Sequence, residues 1–371
     1  MDKAEKAVRD ILALAAVGVD GEHPWDLQVT SKEFYRRLLG QGSIALGETY
    51  MDGLWECRQI DVFIYKVLRS GLEHKISVWS LLWPVLWSKM VNLQSRSRAF
   101  NIGKHHYDMG NELFQLMLDE SMAYTCGYWR EADNLANAQQ AKMDLVCRKM
   151  GLEAGMSVLD IGCGWGSFAR YAAQNYAVKV VGVTVSHEQI DLGRQLCAGL
   201  DVDLRYQDYR DVEGRFDRVV SIGMFEAVGP KNFRTYMQTV ERCLEDDGLF
   251  LLHTIGTNTP DLQADPWTIK YIFPGGYLPL AKQIDAATQG LFIMEDWHNF
   301  GVDYDPTIMA WVANIDAARE QLEKLGYDQR FYRMWTYWLL SAAGSARARR
   351  NQLWQMVYSK KGLDGGYLPV R

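Results

Sequence analysis

No segment of this sequence reaches the roughly 20 uninterrupted apolar residues that span a bilayer. The nearest, residues 76–91 (ISVWSLLWPVLWSKMV), is broken by Pro84 and by serines, so no spanning helix is expected. A secretory leader is not expected either. MDKAEKAVRDILALAAVGVDG is charged from its second residue and then carries only a short apolar stretch, the pattern of an amphipathic first helix. Cysteine is scattered: Cys57, Cys126, Cys147, Cys163, Cys197 and Cys243 form no C-x-x-C pair, and none lies near a histidine at zinc-ligand spacing. Free thiols in a reducing, cytoplasmic compartment and no metal site are the expectation. With 9 prolines and 23% charged residues, long disordered stretches are not expected. A net charge of −6 leaves no basic footprint for nucleic acid. What the chain does have is a 48% hydrophobic content over 371 residues. That is enough for one large domain with an appendage, or for two domains.

Two textures divide it. Up to about Gly151 it reads as helices joined by polar turns, among them 32–39, 61–69 and 111–118, with no strand alternation before Val158. From Ser157 onward, β-rich runs (157–161, 178–184, 203–206, 216–221, 248–253) alternate with segments of helical length (166–176, 187–200, 230–243). This alternation predicts an α/β fold with a parallel sheet and right-handed crossovers. Residues 257–306 carry prolines and glycines and read as a lid or binding element; 307–358 read as helical. The basic cluster Arg347, Arg349 and Arg350 is either a solvated face or a lipid-phosphate site. Trp79, Trp83 and Trp87 recur every four residues around Pro84, with Lys89, Arg96, Arg98 and Lys104 following. That stripe is open to two readings, core or dimer packing and contact at the headgroup level of a membrane.

Val158-Leu-Asp-Ile-Gly-Cys-Gly-Trp-Gly166 is a strand running into a glycine turn and then a helix. Gly162, Gly164 and Gly166 let the backbone approach a ligand where a side chain would collide. A dinucleotide-binding unit would carry an Asp or Glu at the end of the next strand, but 182–186 (GVTVS) has no acid, and the acid is Asp160, inside the first strand. A purely structural turn is the other alternative. The arrangement resembles motif I of class I S-adenosylmethionine methyltransferases, whose acid supports the methionine end of the ligand. The resemblance implies a Rossmann-like methyltransferase sheet with a smaller helical N-terminal domain and S-adenosyl-L-methionine as co-substrate. It places Tyr124, Thr125, Asp160, Gly162, Cys163 and Gly164 at the donor, Thr184 and Gln189 beside the ribose, and Asp208 with Tyr209 beside the adenine. Asp208 is equally readable as an ordinary turn residue.

The likeness narrows when several stretches are taken together: GETYMDGLWE (47–56), HHYDMGN (105–111), YTCGYW (124–129), NAQQAK (137–142), the glycine turn, GMFEAVG (223–229), LHTIG (252–256) and EDWHNFG (295–301). Their order and spacing, over essentially the whole chain, resemble the cyclopropane fatty acid synthase family, including phospholipid-acting bacterial members and mycolic acid cyclopropane synthases. The resemblance implies transfer of a methylene to cis double bonds of unsaturated phospholipid acyl chains. An alkene attacking an electrophilic methyl leaves a carbocation, which closes to a ring when the transferred carbon loses a proton. Such a site must stabilise a cation, exclude water and supply a base. Aromatic faces suit the first need, and Tyr124, Phe225, Tyr271, Phe273 and Tyr304 are available. For the base, the family implies bound bicarbonate held at positions that match Cys126, Glu226, His253, Tyr304 and the amide of Ile255. It further implies a homodimer associated peripherally with the inner face of a membrane, with residues 1–100 as the lipid-contacting domain and 101–371 as the catalytic domain (sheet about 157–256, lid about 257–306, then helices).

Each residue of the set has a structural alternative. Cys126 can be a small buried hydrophobe, His253 a satisfied core histidine, Glu226 a helix-start carboxylate and Tyr304 a loop anchor. Two positions depart from the family pattern: Ala227 stands where a histidine usually follows the motif glutamate, and Ala342 stands near a position where some members have cysteine. A lipid methyltransferase that stops at simple methylation, and a catalytically weakened lipid-binding homologue, are the competing functions.

Overall fold

The computed structural model describes residues 2–72, 110–259 and 265–371. Trp79, Trp83, Trp87 and the basic residues after them lie outside the described residues, as do 105–109. In chain order the described elements are α1 (Lys3–Ala13), β1 (Gln28–Val29), α2 (Glu33–Gln41), α3 (Ser43–Met51), β2 (Trp55–Glu56), α4 (Ile60–Arg69), α5 (Asn111–Met117) and α6 (Leu135–Lys149). Then come β3 (Ser157–Ile161), α7 (Ser167–Tyr176), β4 (Lys179–Thr184), α8 (His187–Leu196), β5 (Val202–Tyr206), β6 (Phe216–Ile222), α9 (Phe233–Cys243) and β7 (Leu244–Gly256). The chain continues with α10 (Pro266–Tyr271), α11 (Ala281–Thr288), β8 (Ile293–Asn299), α12 (Tyr304–Ala317), α13 (Arg319–Lys324), α14 (Gln329–Arg347) and β9 (Gln352–Ser359).

Packing gathers these elements into two compact units. The first consists of Met1–Asn92, Ala264–Phe273 and Tyr304–Arg350. The sequential boundary near residue 100 groups the C-terminal helices with the sheet, whereas in the packing they join the N-terminal helices. The side chains explain why. On α14, Arg333 donates to the carbonyls of Tyr50 and Trp55 and to Glu56 Oε1, and its guanidinium lies 3.9 Å over the Tyr50 ring. Gly47 of α3 has no side chain because the Trp267 indole fills the space; an added Cβ would lie 2.4 Å from its Nε1. Asp265 caps α10 by accepting from the amides of Trp267 and Thr268, with Pro266 at the first helical position. The 47–56 stretch is therefore built into the core of this unit. β1 and β2, absent from the sequence expectation, are a two-residue antiparallel pair, too short to leave an alternation.

The second unit holds Leu93–Gln263, Pro274–Asp303 and Asn351–Arg371. Its seven-stranded sheet has the order β5-β4-β3-β6-β7-β9-β8, with β3 to β7 parallel and β9 antiparallel to both β7 and β8. Alternate residues face opposite sides, and both sides are buried. Leu159, Val219, Phe250 and Leu252 join one apolar cluster; Val158, Val220, Leu249 and Leu251 join the other. Two elements differ from the sequence expectation. Residues 352–359, expected to be helical, form β9, and the supposed lid contributes β8. β9 is buried along nearly its whole length between β7 and β8, so its apolar run carries no period by which to tell strand from helix.

Candidate active site

Strand order reverses between β3 and β6, and the carboxyl ends of the parallel strands open a crevice at such a switch point. Most sequence-predicted residues of this unit lie along that edge. Asp160, only 2% exposed, pairs in register with Gly182 on one side and Val220 on the other. The turn after it is held by the Gly162 and Cys163 amides donating to Val183 O. Gly162 has φ +82, and an added Cβ would lie 2.5 Å from the Met224 side chain, so glycine is required twice over at that position. Gly164 has φ +57 and nothing nearer than Gln189 Nε2 at 4.0 Å, which leaves room for a ligand against bare backbone. The Cys163 thiol is buried, and burial pushes its pKa well up; it stays protonated.

At the end of β4, Thr184 Oγ1 donates to Gln189 Oε1 at 2.9 Å, so the two ribose candidates are brought together. Ser186 caps α8 by accepting from the Gln189 amide. The adenine candidates are placed differently. Arg210 grips both oxygens of Asp208, at 2.8 and 2.7 Å, and Asp208 also accepts from the Arg210 amide. Tyr209 is buried, with its ring 5.1 Å from that of Tyr236, and burial lifts its hydroxyl pKa to about 12. Of the aromatics expected to face a cation, Phe225 is fully buried and stacked on Phe233 at 4.3 Å. The Tyr124 ring sits 5.2 Å from that of Phe114.

Beyond β6 the backbone makes a 3-10 turn, Phe225–Ala227, which carries Glu226. Its Oε1 accepts from the Ile255 amide at 2.5 Å, and its Oε2 is buried without a partner among the described residues. Burial favours the protonated carboxyl, against opposing hydrogen bonds. His253 is 1% exposed on β7, where its carbonyl accepts from the Gly223 amide. Its Nδ1 lies 3.1 Å from Gln355 Nε2. With the amide so oriented Nδ1 accepts and the ring proton sits on Nε2, which is buried and unpartnered. Burial, then Lys142, Lys149 and His298, hold this imidazole neutral by driving its pKa well down. Cys126 is fully buried, with Sγ donating to Gly127 O at 3.2 Å. Ala227 is exposed, so the missing imidazole leaves no hole in the core. Tyr304 is carried by the other unit as the first residue of α12, its ring 6.5 Å from that of Trp311.

Two residues escaped the sequence reading. Gln139 and Lys142 lie on the buried side of α6 and grip the backbone and hydroxyl of Thr125. The available signal was two polar residues three apart in NAQQAK, on a helix otherwise amphipathic. Arg347 meets neither expectation for its cluster: it forms a two-pronged pair with Asp305 and a third bond to Asp61. Among the described residues no group of histidine, cysteine and carboxylate side chains could hold a metal ion, and no helix is long and apolar enough to cross a membrane.

A sheet of this order, with a glycine turn at the switch point and an acid in β3, defines the class I S-adenosylmethionine methyltransferases. The mycobacterial cyclopropane synthase MmaA2 is similar in structure at a TM-score of 0.67 with 28% identity, over 70% of this chain and 98% of that one. Coclaurine N-methyltransferase shares the fold at a TM-score of 0.69. Residues 94–356 match the family described as mycolic acid cyclopropane synthetase. Along its full 371 residues the chain is 50% identical to the cyclopropane-fatty-acyl-phospholipid synthase of Escherichia coli strain K12, of which it covers 97%. It is 32% identical, over 90% of its length, to the tuberculostearic acid methyltransferase UfaA1 of Mycobacterium tuberculosis, of which it covers 79%. The chain belongs to the mycolic acid cyclopropane synthetase family and is an S-adenosylmethionine-dependent methyltransferase.

Proposed function

We propose that this enzyme is a cyclopropane-fatty-acyl-phospholipid synthase, adding a methylene across cis double bonds of phospholipid acyl chains through a carbocation. The observation that carries this reading is the 50% identity, over the whole chain, to the E. coli protein of that name. S-adenosylmethionine supplies an electrophilic methyl on sulfur. The residues fit it: Asp160 presents a buried carboxylate beside a turn where Gly164 leaves bare backbone.

Cys126, Glu226, His253, Tyr304 and the Ile255 amide are proposed to hold bicarbonate, which would supply the base. Two buried polar atoms left without partners support that fit: the Nε2–H of neutral His253 can donate, and Glu226 Oε2 can accept. Burial of Glu226 raises its proton affinity, which suits a group that receives the proton released on ring closure. Glu226 holds the Ile255 amide itself, so that amide becomes available to the ion only if the carboxylate turns. Peripheral docking on the membrane and homodimer formation belong to the same proposal, on the family likeness.

The test is the product. Lipids from cells expressing the chain gain one CH2 whether the carbon is a ring, a branch or a headgroup methyl, so proton NMR of the extracted acyl chains decides. Upfield ring-methylene protons are expected. A branch methyl or a headgroup methyl without ring protons overturns the proposal.

A further inference from the structure

Lys142 has no part in the chemistry above, yet it is among the most deeply buried charged side chains of the sheet unit, at 2% exposed. α6 starts from an Asn134 cap and presents Gln139 and Lys142, nearly one turn apart, to the same buried side. Gln139 Nε2 donates to the carbonyls of Thr125 (2.7 Å) and Ala123 (3.3 Å); Lys142 Nζ donates to Thr125 Oγ1 at 2.7 Å. The helix thereby fixes the segment that bears Tyr124, Thr125 and Cys126. That segment adjoins the carboxyl end of β6, where a Cβ added at Gly223 would lie 2.6 Å from Thr125 Cγ2.

A buried ammonium bonded to one neutral hydroxyl is costly unless a negative charge lies within its field. Lys142 has no carboxylate within ion-pair distance among the described residues, and two carboxylates act on it from further away, Asp119 and Asp160. Asp119 is already satisfied by the amide and hydroxyl of Ser121. The Asp160 carboxylate makes no hydrogen bond or ion pair with any described residue, and Lys142 is the one charged group among them that acts on it. Each buried charge therefore offsets part of the other's desolvation.

We propose that Lys142 is a positioning residue of the methyl-donor site, fixing Thr125 and keeping the Asp160 carboxylate ionised for the donor's methionine end. This rests on the donor-site reading of Asp160. Burial pushes the Asp160 pKa up to about 7 even against Lys142, and burial brings Lys142 down to about 8. Around neutral pH the ammonium is mostly charged and the carboxyl is close to half ionised, so the field of Lys142 decides how far Asp160 is charged there. Of the other groups that face the pair, the Asp119 carboxylate acts on the ammonium, and the rest are neutral: burial pushes the Cys163 and Cys197 thiols and the Tyr236 hydroxyl up, and holds His253 down. Cys126 is the remaining neighbour of the ammonium. The sign follows: without Lys142 the Asp160 carboxyl takes its proton at higher pH, and donor binding fails at higher pH with it.

The experiment is calorimetric titration of S-adenosylhomocysteine into the full chain between about pH 6 and pH 9, for the parent, K142M, K142R, D160N and K142M/D160N. The parent's affinity should fall toward the acid end. K142M should bind about tenfold more weakly at neutral pH, one pKa unit's worth, with its acid limb displaced upward, while K142R keeps a limb near the parent's. In the D160N background K142M should cost less than in the parent, only what the lost bond to Thr125 contributes. Parent-like affinity and limb in K142M overturn the proposal, as does an equal loss in the D160N background. If circular dichroism shows K142M unfolded, the parent and K142R decide: a flat parent profile, or a displaced limb in K142R, overturns it. A parent that binds no S-adenosylhomocysteine at any pH overturns the donor-site reading itself.

Discussion

Burial acts on Glu226 and His253 in opposite senses, favouring the protonated acid and the uncharged imidazole. Glu226, while ionised, offers an acceptor and the neutral imidazole offers a donor, so the pair suits the proposed anion and the carboxylate can take the proton it releases. Glu226→Gln keeps the shape and the bond from the Ile255 amide but cannot take a proton. S-adenosylhomocysteine affinity should stay within about twofold of the parent's, while product formation falls by about a hundredfold or more. Gly162→Ala tests the turn differently. A left-handed φ and the Met224 contact together should cost about 1–3 kcal/mol of stability, read as a lower thermal midpoint with weakened S-adenosylhomocysteine binding. Candidates of this kind could be named from the sequence because their signals are local: a glycine turn, an acid within a strand, a glutamate in a motif. The burial of Lys142, Tyr209 and Phe225 was not legible, since the sequence does not reveal which face of an element is buried.

Strands β3 to β7 overlap the positions expected from their β-rich runs because α7, α8 and α9, and a polar loop between β5 and β6, separate them. β8 and β9 were missed because neither is followed by a helix that completes a crossover, and each pairs antiparallel. One link between elements makes a pH prediction. Asp217, at the start of β6, accepts from the amide and hydroxyl of Ser157, at the start of β3, and these bonds hold its pKa below the usual range. A depressed carboxyl contributes stability above its unfolded pKa of about 4 and loses it as pH falls through the folded value. Ser157→Ala should therefore lower stability at neutral pH by no more than about 1 kcal/mol for a carboxylate only partly buried, read as a lower thermal midpoint. The deficit should shrink on acidification. In the helical unit, Arg347 ties α14 to α12 through Asp305 and to α4 through Asp61. Arg347→Met strands two carboxylates and should cost about 1–3 kcal/mol, below the fully buried case because the arginine is partly exposed. Chemical denaturation would read it; an unchanged midpoint would make the triad incidental.

At the scale of the molecule, the proposed membrane contact is carried by Trp79, Trp83 and Trp87 with the basic residues after them. Changing all three tryptophans to alanine should reduce co-sedimentation with vesicles of anionic, unsaturated phospholipid. Undiminished sedimentation of a folded variant would remove the stripe from the proposal. The sequence conveyed the α/β class and the motifs, but it could not convey that the helical unit draws on three separate stretches of chain. Linear texture records neighbours along the chain, whereas the bonds of Arg333 and Arg347 join residues some 280 positions apart. That wiring sets a schedule for biosynthesis. As the chain leaves the ribosome, the N-terminal helices emerge first and must wait for α14, nearly the last element made, before their apolar faces can close. For most of translation Trp55 and its neighbours stand open, so the nascent chain, rather than the finished enzyme, is the form most in need of a chaperone.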